Sequence, residues 1–274
     1  MDGAGGSAVQ VRSPAVAGFF YPSDPAELEA AVRGHLEAAS ARAAPSGAAS
    51  APKALIAPHA GYVYSGPVAG SVYARLAGVR TQIERVVLLG PSHRVPLRGL
   101  AASAADAFVT PLGEVPVDRE AVERVLQLPQ VELLEAAHEA EHSLEVQLPF
   151  LQRALARFAL VPLAVGDATP EEVDEVLEAL WGGPETLIVV SSDLSHYFDY
   201  ETARKLDART TRAIEALDPA GLGPESACGR VPARGLLLAA RRHRLSVETV
   251  DLRNSGDTAG PRDQVVGYGG YVFA

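Results

Sequence analysis

The sequence predicts one α/β domain with a central mixed or mostly parallel sheet flanked by helices. Short β-branched or leucine-rich runs alternate with amphipathic helical stretches from residue 53 onward, the order expected of an open sheet covered by helices. Three of those runs end in polar residues, at the edge where such sheets bind ligands. The 274 residues, 47% of them hydrophobic, carry enough apolar surface for one sizeable core.

In chain order, residues 1–12 read as a flexible tail and 13–274 as the domain. The helical period first appears over Glu27–Ala38. The small residues and prolines of 39–52, ASARAAPSGAASAP, predict an exposed loop. Strands are then predicted over Lys53–Ala57, Arg85–Leu89, Leu160–Val165, Thr186–Ser191, Ser246–Leu252 and Val265–Phe273. Helices are predicted over Val68–Leu76, Arg119–Leu126, Ser143–Phe158, Pro170–Leu180, Tyr200–Ala216 and Pro232–His243.

Composition narrows the function classes. A net charge of −10 leaves no broad basic surface and argues against nucleic-acid binding. No apolar run approaches the roughly 20 residues of a membrane span; the longest resemble Leu236–Ala240. The chain opens on Asp2 and glycines, without the basic and apolar stretches of a secretory signal. The single cysteine, Cys228, excludes an internal disulfide framework and a Cys₄ zinc site. Together these features read as a cytoplasmic protein.

The strand ends carry the chemistry. KALIA runs into Ala57-Pro58-His59, RVVLL into Gly90-Pro91-Ser92-His93, and TLIVV into Ser191-Ser192-Asp193-Leu194-Ser195-His196. Any one of these histidines is most simply a hydrogen-bonded loop residue. Three polar endings on three strands are better explained by a shared site. Prolines before His59 and His93 restrict the backbone, and two rigidly held imidazoles suit a divalent metal. Asp193 and His196 can act as a supporting pair or as an acid and base.

Two literal motifs are set aside. His138-Glu139-Ala140-Glu141-His142 fits H-E-x-x-H, but Glu135, Glu139, Glu141 and Glu145 crowd it, as in a charged helix entry that favours the dipole. Cys228 to Arg234 fits C-x₅-R, yet Pro232 has no N–H for a phosphate cradle. On its own residues Cys228 reads as a small buried hydrophobe.

In series, several tracts resemble the Memo family (mediator of receptor-driven cell motility). They are Ala17-Gly18-Phe19-Phe20-Tyr21-Pro22, Ala57-Pro58-His59-Ala60-Gly61-Tyr62, Leu89-Gly90-Pro91-Ser92-His93, Glu141-His142-Ser143, Ser191 to His196, Cys228-Gly229-Arg230 and Val266-Gly267-Tyr268. The wider resemblance is to the class III extradiol, LigB-type, non-haem iron dioxygenases. It implies a LigB-like fold and a metal pocket in which His59, His93 and Cys228 match ligand positions. Asp193 and His196 match the acid/base side of that pocket, and Tyr64 and His142 match residues near it. The implied cofactor is Fe(II), with Cu or Zn as substitutes. The ring-cleaving relatives use two histidines and a carboxylate; a thiolate at Cys228 is softer and oxidisable. Two classes follow: a non-haem metal oxidoreductase, or a binding or accessory protein that takes a small-molecule or peptide ligand. Bacterial members are commonly encoded beside a radical SAM protein and an AMMECR-domain protein, which makes both candidate partners.

Overall fold

In a computed structural model, residues 10–42 and 51–274 are described. The chain begins with β1 (Val11–Arg12), α1 (Pro25–Arg42), β2 (Ala54–Ala57), α2 (Tyr62–Tyr73), β3 (Arg85–Pro91) and β4 (Leu100–Ala102). It continues through β5 (Ala107–Thr110), β6 (Gly113–Pro116), α3 (Arg119–Val125), β7 (Val131–Leu133), α4 (Ala136–Glu139), α5 (Leu148–Ala154) and β8 (Ala159–Val165). The last elements are α6 (Pro170–Leu180), β9 (Thr186–Ser191), β10 (His196–Phe198), α7 (Tyr200–Glu215), α8 (Arg230–Arg242), β11 (Val247–Asn254) and β12 (Val265–Phe273).

The centre of the main sheet is β2-β9-β3-β8, all parallel. Apart from Arg85 and Ala159 at their starts, these strands are buried, and only Arg85 is charged, as strands covered on both faces must be. Antiparallel β12 joins beside β2 and antiparallel β4 beside β8, so the sheet is mixed. β10 and β11 pair with β12, and β7 pairs with β4. A separate small sheet has the order β1-β5-β6. The α/β class expected from the alternation is the one observed, and no helix among the described residues is long and apolar enough to cross a membrane.

Several boundaries moved for identifiable reasons. β9, β12 and α6 match their predicted spans; α6 has a Thr169–Glu172 capping box and Pro170 in its first turn, signals visible in sequence. The helix predicted over Val68–Leu76 starts instead at Tyr62, despite Gly66, Pro67 and Gly70. Tertiary contact overrides their poor helix propensity: a Cβ on Gly70 would lie 2.7 Å from the His35 carbonyl oxygen of α1. The single helix predicted over Ser143–Phe158 is a 3₁₀ turn, Glu145–Gln147, followed by the short α5. The predicted loop 39–52 yields residues 39–42 to α1, and 43–50 lie outside the described residues.

The expected tail 1–12 also ends early. Val11–Arg12 pairs in register with Ala107–Phe108, and Arg12 is buried against the wholly buried Glu145. Glu145 also accepts from the Ala15 and Val16 N–H groups and the Tyr21 hydroxyl. Buried charges persist when so many partners compensate them. Residues 1–9 lie outside the described residues.

Candidate functional site

Because β9 lies between β2 and β3, the three polar strand ends converge. His59 follows β2, Asp193 follows β9 and His93 follows β3, each by two residues. Asp193 Oδ1 accepts the His59 backbone N–H at 2.8 Å, tying two of these loops together. His142 joins them from the segment after α4. The ring centroids are 5.2 Å apart for His59 and His93, 5.4 Å for His59 and His142, and 4.8 Å for His93 and His142. One donor atom from each of the three lies within 4.8 Å of the others. Among the described residues, this is the group of histidine, cysteine and carboxylate side chains that converges well enough to hold a metal ion.

Local contacts set the state of each imidazole. Glu141, 1% exposed, accepts the His93 backbone N–H at 2.6 Å and lies 3.0 Å from His93 Nδ1. Burial alone would raise the Glu141 pKa, but the His93 hydrogen bond and charge, with the Ser143 N–H, hold it near about 2. An ionised carboxylate only accepts, so His93 Nδ1 is the donor, and in the neutral imidazole Nε2 carries the lone pair. This carboxylate–histidine pairing is typical of metal-bound histidine. Burial, followed by the neighbouring His93 charge, lowers the His59 pKa to about 3. Burial and the His59 charge lower His142 to about 4. His59 and His142 are therefore neutral near pH 7, as ligands must be. His142 Nδ1 lies 3.4 Å from Glu141 Oε1 but lacks hydrogen-bond alignment, leaving a buried nitrogen unpartnered.

The trio opens into a cavity of about 590 Å³, also lined by Phe20, Tyr64, Asp193, His196 and Tyr268. Phe20 packs on His142 with centroids 4.8 Å apart. His196 Nδ1 is 2.8 Å from the Leu194 carbonyl oxygen, so it donates there and leaves Nε2 as a base. Burial raises the pKa of Asp193. Tyr64 sits at the mouth, 39% exposed.

Cys228 is placed by its backbone N–H, which donates to the Asp193 carbonyl, while its Sγ accepts the Asp193 N–H at 3.3 Å. Its Sγ lies 3.3 Å from His59 Nε2, behind the cavity lining. The loss of water around the thiol, then the Asp193 charge, push its pKa up to about 12. That is the opposite of what a cysteine phosphatase needs. The expected residues His59, His93, Tyr64, His142, Asp193 and His196 thus share one cavity, with Cys228 against His59 and His142 inside the converging trio.

The two histidines of the H-E-x-x-H match separate in space. α4 ends at Glu139, so His138 and His142 do not share a helix face. His138 is buried with Nε2 3.0 Å from the Ala101 carbonyl oxygen. Glu141 and Glu145, expected at a charged helix entry, are buried at 1% and 0% exposure because each compensates a neighbouring group. Glu141, the carboxylate paired with His93, was hidden in sequence by its charged surroundings; its place beside His142 was the available signal. Phe20 and Tyr268 lay in tracts that carry the resemblance, with no role of their own in the sequence reading.

Comparison with known proteins gives the family. The family model described as Memo-like protein matches residues 12–272. A MEMO1 family protein of Aquifex aeolicus is 40% identical, with 97% of this chain and all of that protein covered. One from Archaeoglobus fulgidus is 36% identical, covering 96% of this chain and 99% of its own. Among solved structures, the uncharacterised protein JW3007 of Escherichia coli K12 matches with a TM-score of 0.50 at 16% identity. That match covers 78% of this chain and 98% of the other, a likeness of fold. With the family model spanning nearly the whole chain and full-length relatives at this identity, the chain belongs to the Memo-like family.

Proposed function

We propose that the cavity is a mononuclear non-haem metal site serving an oxidoreductase. The observation that carries this reading is the convergence of His59, His93 and His142, with His93 backed by the buried Glu141. The donor set fits: His59 and His142 are neutral near pH 7, and His142 has a buried nitrogen unpartnered within the protein. His59, His93 and His142 hold the ion, and Cys228 is the softer donor beside His59 once its proton leaves. Imidazole with thiolate favours Fe, Cu or Zn over Mg or Ca, and Fe(II) is the ion that the resemblance to the extradiol dioxygenases implies. When bound, such an ion supplies a Lewis-acidic, redox-capable centre with positions open to a ligand.

The remaining residues handle the ligand. His196 presents Nε2 to the cavity as a base, with the buried Asp193 beside it. Phe20, Tyr64 and Tyr268 give the walls an aromatic surface suited to a small organic ligand.

A second reading rests on the mouth. Phe19 at 89%, Tyr197 at 70% and Tyr64 at 39% are among the exposed large hydrophobic residues, and all three line the cavity. Grouped exposed apolar side chains mark interaction surfaces. In that reading the cavity recognises a peptide or protein, and AMMECR-domain and radical SAM proteins are the partners to test.

Anaerobic titration with Fe(II), Cu and Zn separates the two. Wild type is expected to bind about one equivalent. His142→Ala should lose at least the ~10–100-fold that even an outer-shell change costs, and Cys228→Ser should change the preference among ions. Equally weak binding of all three ions by wild type and His142→Ala refutes the metal site in favour of recognition.

A further inference from the structure

His59 stands on a buried polar relay that determines which of its nitrogens carries the proton. Its Nδ1 lies 2.8 Å from Ser191 Oγ, at the end of β9. Ser191 Oγ also lies 2.6 Å from the Ser143 carbonyl oxygen and 2.7 Å from Gln147 Nε2. All four residues are buried.

A hydroxyl has one hydrogen and two lone pairs, so the protons can be counted. The Ser143 carbonyl can only accept, and it takes the Ser191 hydrogen. Gln147 is oriented independently: its Nε2 donates to the Pro58 carbonyl at 2.9 Å, while Oε1 accepts from the Tyr73 hydroxyl at 2.8 Å. Gln147 Nε2 therefore donates to Ser191. The remaining Ser191 lone pair can only be filled by a donor, which makes His59 Nδ1 the protonated nitrogen. Nε2, on the Cys228 side, is left bare.

We propose that Ser191, oriented by Ser143, Gln147 and Tyr73, is a positioning residue that locks His59 in the Nδ1–H tautomer. The consequence for ion binding rests on the metal-site reading above; the tautomer does not. In the metal-free protein the bare Nε2 accepts the Cys228 S–H, 3.3 Å away. Binding of a cation by both atoms then releases the thiol proton to solvent, and the imidazole needs no proton shift. With the other tautomer, His59 would first have to move its proton from Nε2 to Nδ1.

Nitrogen-15 NMR of histidine-labelled, metal-free protein near pH 7 reads this directly. Wild-type His59 is expected to show a protonated Nδ1 and a bare Nε2. Ser191→Ala removes the acceptor and should move the population toward Nε2–H. Gln147→Met, which frees the Ser191 hydroxyl to reorient, should give a mixture. Cobalt(II) titration of the same proteins should show a ~10–100-fold loss of affinity in Ser191→Ala, the scale of outer-shell effects on metal sites. A wild-type His59 found as Nε2–H overturns the proposal, as does a tautomer unchanged in a folded Ser191→Ala. If wild type binds no cobalt but shows the Nδ1–H form, the metal reading fails and the relay stands.

Discussion

Replacing Glu141 with Gln separates a carboxylate that builds the site from the acidic residues around it. In the folded protein this carboxylate accepts from the His93 N–H, from His93 Nδ1 and from the Ser143 N–H at 2.8 Å. Gln must present an NH₂ to one of those three donors, so one hydrogen bond becomes a clash of donors. The pKa gives the size. Against the opposing effect of burial, the hydrogen bonds lower it from 4.5 to about 2, which corresponds to about 3 kcal/mol of stability. The folded pKa is depressed, so this contribution is complete above about 4.5 and lost as pH falls through about 2. Urea unfolding of Glu141→Gln at pH 7 should therefore show a loss of about 3 kcal/mol that shrinks steadily toward pH 2. Metal affinity should fall about 10–100-fold with it. Glu139→Gln, two residues away and exposed, should change neither quantity. A Glu141→Gln protein within 1 kcal/mol of wild type at pH 7, or one whose deficit persists undiminished at pH 2.5, refutes the assigned role.

Two further outcomes test the framework around the site. Arg12→Met leaves the buried Glu145 without its cation and removes donors to the His138 and Glu141 carbonyls; urea unfolding should register about 3–5 kcal/mol, and Arg12→Met/Glu145→Leu should recover part of it. Recovery of nothing would mean that the loss is one of packing and not of an uncompensated charge. Asp207, buried beneath the Ser195 N–H, has a pKa raised to about 6 by burial. A raised carboxyl is most stabilising when protonated, so wild type loses stability as pH rises from about 4 to about 6. Asp207→Asn should match wild type at pH 3.5 and exceed it by up to about 3 kcal/mol at pH 7.5, measured by denaturant unfolding; no gain at pH 7.5 would refute the burial penalty.

The sequence by itself determined the α/β class and the edge on which the chemistry sits. Strands such as Ala54–Ala57 and Thr186–Ser191 are apolar on both faces, and their polar endings are local in the chain. Caps such as Thr169 with Glu172 are local too, which is why α6 was legible to the residue. Short segments were not: β4, β7 and β10 have three residues each and exist because a neighbouring strand offers hydrogen bonds. Strand order was equally invisible. Placing β9 between β2 and β3 is a tertiary choice, and it brings His59, Asp193 and His93 together. The resemblance already put His142 near the pocket; the tertiary structure decided that it converges with His59 and His93 while His138 turns away. It also decided that Glu141 and Glu145 are buried and that Ser191 supports His59. In each case the partner is distant in sequence, with 48 residues separating His93 from Glu141 and 132 separating His59 from Ser191. Local pattern fixes which face of an element is apolar; only long-range packing decides which buried polar groups find one another.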